Sequence, residues 1–177
     1  MNLKLLWVLI LLLAGSAMAQ SNSKSLEEHL NFVVGGVWAS QNKNNDGKPE
    51  SFNSFHMNFE NWSSKSSVRG EIFGVTNNGD TVALIQIWNY INPSQNNIFL
   101  TQRTSWGETG IGTIVPYKEK HLDIQFKSVT SEGQEYFTRD IHYVLSKNEM
   151  RAETYQKSKV TDEWQKTGES IWVRSKN

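Results

Sequence analysis

The chain has 177 residues, with 18 lysines and arginines against 18 aspartates and glutamates, a formal net charge of +0, and no cysteine. A balanced charge without a basic block argues against a phosphate-backbone partner, so no nucleic-acid partner is expected. The lack of cysteine rules out disulfides, thiolate metal sites, cysteine nucleophiles and a lipid-anchoring cysteine.

Residues 1–19 read as a secretory leader. Lys4 supplies a small positive n-region, Leu5 to Leu13 is unbroken apolar sequence, and Ala17-Met18-Ala19 is an A-x-A cleavage site. The apolar run is too short for a bilayer-spanning helix, which needs about 20 residues. The expected product is residues 20–177, one domain beginning at Gln20, exported to the periplasm or beyond and without a membrane span after cleavage. A domain of about 150 residues can bury roughly 70% of its unfolded surface, and the six tryptophans beyond the leader supply bulk for such a core.

Ser25 and Glu28 form a candidate capping box, and Leu26, Leu30, Phe32 and Val33 make an apolar stripe at helical spacing. Gly35-Gly36 stops that helix, and Trp38 follows in the first strand. The period then changes to two. After a polar loop over Asn42 to Pro49, Phe55, Met57 and Phe59 alternate with polar neighbours. Val68 to Val75 forms the next strand, and Asn78-Gly79 turns it into another.

Thr81 to Asn92 is apolar on both faces. Val82, Leu84, Gln86, Trp88 and Tyr90 share one face, and Ala83, Ile85, Ile87 and Ile91 share the other. Ile98, Leu100, Gln102, Thr104 and Trp106 then align, and Gly107, Gly110 and Gly112 mark a bend. After a turn at Tyr117-Lys118-Glu119, Leu122, Ile124 and Phe126 point one way and His121, Asp123, Gln125 and Lys127 the other. Ser131-Glu132-Gly133 turns into Tyr136 to Leu145. Met150 to Lys157 and a strand from about Glu163 to Arg174 close the chain. About ten strands with short connections after one helix predict an all-β, antiparallel up-and-down barrel, which removes sheet edges by closing.

The short helix, Gly36-Val37-Trp38 and the late Arg174 resemble the calycin pattern of lipocalins and fatty-acid-binding proteins. The stretch Trp88 to Gly112, with its Asn92-Pro93 turn and Gly110-x-Gly112 strand, is similar to secreted bacterial lipocalin-like domains of uncharacterised function. The resemblance implies that Trp38 plugs the barrel base and that Arg174 packs across its ring, a cation–π contact of about 0.5–2 kcal/mol. A helix-grip fold would need a long C-terminal helix, and cone-shaped α+β folds need several N-terminal ones.

Chemistry is sparse. The sequence has no G-x-S-x-G elbow, Walker loop or dinucleotide fingerprint, and so implies no cofactor. His29, His56, His121 and His142 have no metal-ligand spacing. By strand phase His121 and His142 face solvent, which also leaves haem ligation, as in some related barrels, without a late lumen histidine. Polar residues on apolar faces are more suggestive. Gln86, Trp88, Gln102, Trp106, Arg139 and Tyr143 are the expected lumen set, with Glu71 a candidate partner for Arg139. Aromatic walls with a few polar groups suit a small apolar or amphipathic ligand. Two alternatives stand beside that reading. One is an enzyme using Arg139, Glu71 or a tyrosine for acid–base work. The other is a barrel that binds protein through the doubly apolar Thr81 to Ile91 strand.

Overall fold

The structure is a computed structural model, and it describes residues 26–41, 47–116 and 121–175. The leader over 1–19, the capping role of Ser25, most of the Asn42 to Pro49 loop and the turn at Tyr117-Lys118-Glu119 lie outside the described residues.

Among the described residues, one helix, α1 (residues 26–32), precedes ten antiparallel strands. These are β1 (Val37–Gln41), β2 (Phe52–Asn61), β3 (Ser67–Thr76), β4 (Thr81–Asn92), β5 (Asn97–Thr104), β6 (Thr109–Pro116), β7 (His121–Val129), β8 (Glu135–Ser146), β9 (Glu149–Lys157) and β10 (Gln165–Arg174). Each strand pairs with its sequence neighbours and β10 returns to β1, which closes the barrel. Up-and-down order follows from the short turns, several of them closed by glycines at positive φ such as Gly79 (89°), Gly107 (92°) and Gly133 (81°). Among the described residues, closure leaves no sheet edge for another chain to extend.

The first and last strands meet at the base of the barrel. Trp38 lies directly opposite Arg174 in the β1–β10 ladder, and its ring is completely buried. The Trp38 indole Nε1 donates to the Val33 carbonyl at 3.0 Å, satisfying the one polar atom of the buried ring. The Arg174 guanidinium lies 4.5 Å from the centre of that ring and donates to the carbonyls of Phe32 and Val34. It thereby holds carbonyls at the C-terminal end of α1, where a cation is favoured. Burial lowers the Arg174 pKa from its ordinary value. Gly36, at φ 75°, takes a conformation that L side chains rarely adopt, and a Cβ there would sit 3.1 Å from the Arg174 stem.

Helix α1 covers the same end of the barrel. Leu26 and Leu30 are its most buried side chains and join Val68, Ile98 and Met150 in the core. The Asn31 amide ties the helix to the β2–β3 turn through the Lys65 carbonyl at 2.9 Å, and Gly35 N donates to Phe59 O at 3.2 Å.

Candidate functional site

The lumen is not filled. A cavity of about 270 Å³ lies between α1 and the barrel wall. Its wall is chiefly aliphatic, with Ile85 and Ile87 of β4, Leu100 of β5, Ile124 of β7 and Met150 of β9 among the contributors. Trp172 of β10 closes one side, its indole donating to Ser170 Oγ at 2.8 Å. The inward residues come from strict alternation, since every second side chain of a strand meets the same face.

A few polar side chains share the space. His29 enters from α1, Asn89 from β4, Gln102 from β5, Asp140 and His142 from β8, and Thr154 from β9. Asp140 and His142 are two residues apart on one strand and so project from the same face. By surface area both are only half-buried, but they line the cavity, so the area they keep is lumen surface. Burial pushes the Asp140 carboxyl up to about 6, against the opposing pull of a hydrogen bond from Thr154. Asp140 Oδ1 has no hydrogen-bond partner among the described residues, and neither has Asn89 Oδ1. Burial alone drives His142 down to about 4, so its ring is neutral near pH 7.

Of the six residues expected in the lumen, the structure places Gln102 there. The other five lie elsewhere. Gln86 is exposed on the outside of β4, and Trp88 is half-buried on the same outer face, opposite Arg69 of β3. Trp106 falls in the turn after β5 and is 52% exposed. Arg139 and Tyr143 sit on the outer face of β8. The Arg139 guanidinium grips Asp123 at 2.9 and 2.6 Å, so its partner is Asp123 and not Glu71, which lies on the outer wall of β3. The Tyr143 hydroxyl donates to Glu153 at 3.0 Å, as does that of Tyr155, while Arg151 lies 4.4 Å from the centre of the Tyr143 ring. The Lys166 ammonium, 3.1 Å from Glu153, is the largest influence lowering that carboxyl. His121 packs edge-on to Tyr143, 4.5 Å between ring centres, on this same outer wall.

His142 is the reverse correction, because it lines the lumen rather than facing solvent. On β8 the outer face carries Phe137, Ile141 and Tyr143 and the lumen face carries Thr138, Asp140 and His142, so the more apolar face is the wrong one to bury. The signal that would have found this is register. The β7–β8 turn puts Leu122 opposite His142 and Ile124 opposite Asp140, and partners across a ladder share a face. The same rule applied to β4 and β5 pairs Ile87 with Gln102 and Asn89 with Leu100, which turns Gln86 and Trp88 outward.

Among the described residues, no group of three or more histidines, aspartates or glutamates is placed to hold a metal ion. With His142 inside, a late lumen histidine exists after all. A space of about 270 Å³ nevertheless falls below the roughly 300–1,000 Å³ that drug-sized guests occupy, and a porphyrin is larger than most of those. No hydrogen bond joins Asp140 directly to His142.

The ten-stranded closed barrel, plugged at its base by a tryptophan under an arginine, is consistent with a calycin-like architecture. Compared with known proteins, the sequence matches no family model, and no curated protein matches it.

Proposed function

We propose that this protein is an exported β-barrel that holds a small, mostly apolar molecule in its lumen. The observation that carries the reading is the cavity itself. A barrel of about eight strands is just wide enough to be filled by its own side chains; this one has ten, and about 270 Å³ remains open behind aliphatic walls. An apolar cavity of about 150 Å³ suffices for benzene, so this space suits a guest of one to two small rings or a comparable branched chain.

The outward position of Arg139 changes the expected chemistry of the guest. Among the described residues lining the cavity there is no lysine or arginine, and there is one carboxyl group. A fatty-acid carboxylate would meet no lysine or arginine there and would face the Asp140 carboxyl, and burying an unpaired charge is costly. The guest is therefore uncharged, apolar over most of its surface, and small. The export step rests on the leader sequence, with cleavage after Ala19.

Calorimetric titration of the folded chain with indole, toluene and naphthalene tests the reading. At least one should bind with 1:1 stoichiometry. Ala152→Leu, which adds bulk at a lumen position, should weaken that binding at least tenfold while the fold is retained. Absence of binding by all three at millimolar concentration, or an affinity that Ala152→Leu leaves unchanged, would remove the lumen from consideration.

A further inference from the structure

Polar side chains enter the cavity from several elements, and β8 contributes two, Asp140 and His142, which face inward one above the other, opposite Ile124 and Leu122 of β7. We infer that these two side chains form a polar subsite that selects neutral guests carrying a hydroxyl group. The inference rests on the lumen-binding reading and names the class of guest for that same site.

Three features support it. The first is an unmet acceptor. Asp140 Oδ1 is buried without a hydrogen-bond partner, and a buried acceptor left unpaired costs far more than one that is matched. A guest O–H supplies the missing donor. The second is His142, whose ring burial keeps uncharged. A neutral imidazole offers one N–H and one bare nitrogen, so beside Asp140 it can donate to the oxygen of the same hydroxyl. One O–H group thus meets an acceptor and a donor that share a face of one strand. The third is what the subsite rejects. Asp140 repels an anionic guest, and no lysine or arginine among the described residues lines the cavity to offset it. An ammonium group would have to shed its hydration in a cavity walled mostly by aliphatic side chains, which is far more expensive than burying a hydroxyl.

Phenol and toluene test this, because they are nearly the same shape and differ in an O–H against a CH₃. In a plain apolar cavity toluene binds better, since phenol must surrender its hydrogen bond to water. Here the order should reverse, with phenol bound about tenfold more tightly than toluene at pH 7.5, where Asp140 is ionised. Asp140→Leu should abolish the preference, bringing the phenol-to-toluene affinity ratio down to or below one. If that variant fails to fold, the ¹³C shift of the Asp140 carboxyl in the unaltered chain serves instead, and it should move with phenol and stay still with toluene. Benzylammonium is the third probe and should bind more weakly than phenol. Toluene bound as tightly as phenol, or benzylammonium bound more tightly than phenol, would overturn the hydroxyl subsite while sparing the lumen as a binding site. If neither neutral probe bound, the lumen reading itself would fall.

Discussion

Asp140 and His142 make opposite demands on the folded state as pH changes, and single substitutions should expose each of them. In the unfolded chain the aspartate ionises near 3.8 and the histidine near 6.5; in the barrel they ionise near about 6 and about 4. The Asp140 value is raised, so the native state binds the proton more tightly than the unfolded one. Its contribution is fully present below 3.8 and is lost as pH rises through about 6. The His142 value is lowered, so its contribution is present above 6.5 and is lost as pH falls through about 4. Each gap corresponds to about 3 kcal/mol at 1.36 kcal/mol per pH unit. Between about pH 4 and 6 the two nearly cancel, because folding takes a proton from the histidine and gives one to the aspartate.

Relative to wild type, Asp140→Asn should lose about 3 kcal/mol of stability between pH 6.5 and 4, and His142→Asn should gain about 3 kcal/mol over the same interval. Urea unfolding at pH 7.5, 6.5, 5.5 and 4 with fitted slopes measures both. Surface pairs such as Lys166–Glu153 titrate in all three proteins and drop out of the comparison. Two variants that run parallel to wild type across the range would show that neither side chain is held in the lumen.

Other outcomes follow from the base, the wall and the leader. Trp38→Ala should cost about 3–5 kcal/mol by opening a cavity under the fully buried ring, read as a drop in urea midpoint at constant slope. Arg174→Lys should also be destabilising, by about 1–2 kcal/mol in the same assay, because an ammonium cannot reproduce the planar fork that reaches Phe32 and Val34. Gly112→Ala should cost about 1–3 kcal/mol or more, since the new Cβ would lie 2.0 Å from the Gln125 carbonyl oxygen, a backbone atom that cannot swing away. Arg139→Met should leave toluene affinity within about twofold of wild type while lowering stability by about 1–3 kcal/mol, because it strands Asp123 on the outer wall. Mass spectrometry of the exported product should find a chain starting at Gln20, and recovery of the intact leader would contradict cleavage.

Much of the architecture was legible because it depends on local signals. Asn78-Gly79, Asn92-Pro93 and Glu132-Gly133 fix the turns, and alternation fixes strands wherever one face is clearly apolar, as in Leu122, Ile124 and Phe126. Trp38 and Arg174 were readable as a pair only through resemblance, since they are distant in sequence and meet when the barrel closes. The lumen set was hard to read because the outer wall here is rich in aromatic rings. Trp88 and Tyr143 are half-buried by neighbours such as Arg69 and Arg151 on the outer surface, so hydrophobicity alone cannot tell their face from the lumen. Asp140 and His142 look like solvent-facing residues until the β7–β8 ladder is counted residue by residue. A one-residue error in phase exchanges every side chain between wall and lumen, and this happened on β4 and β8.

The most direct test of lumen binding is a crystal of the protein soaked in bromobenzene, with data collected at the bromine absorption edge. One strong anomalous peak is expected inside the barrel, bounded by Leu100, Ile124 and Ala152. Bromine found only on the outer wall, for instance in the groove beside Ile111 and Trp164, with the lumen empty at saturation, would contradict it.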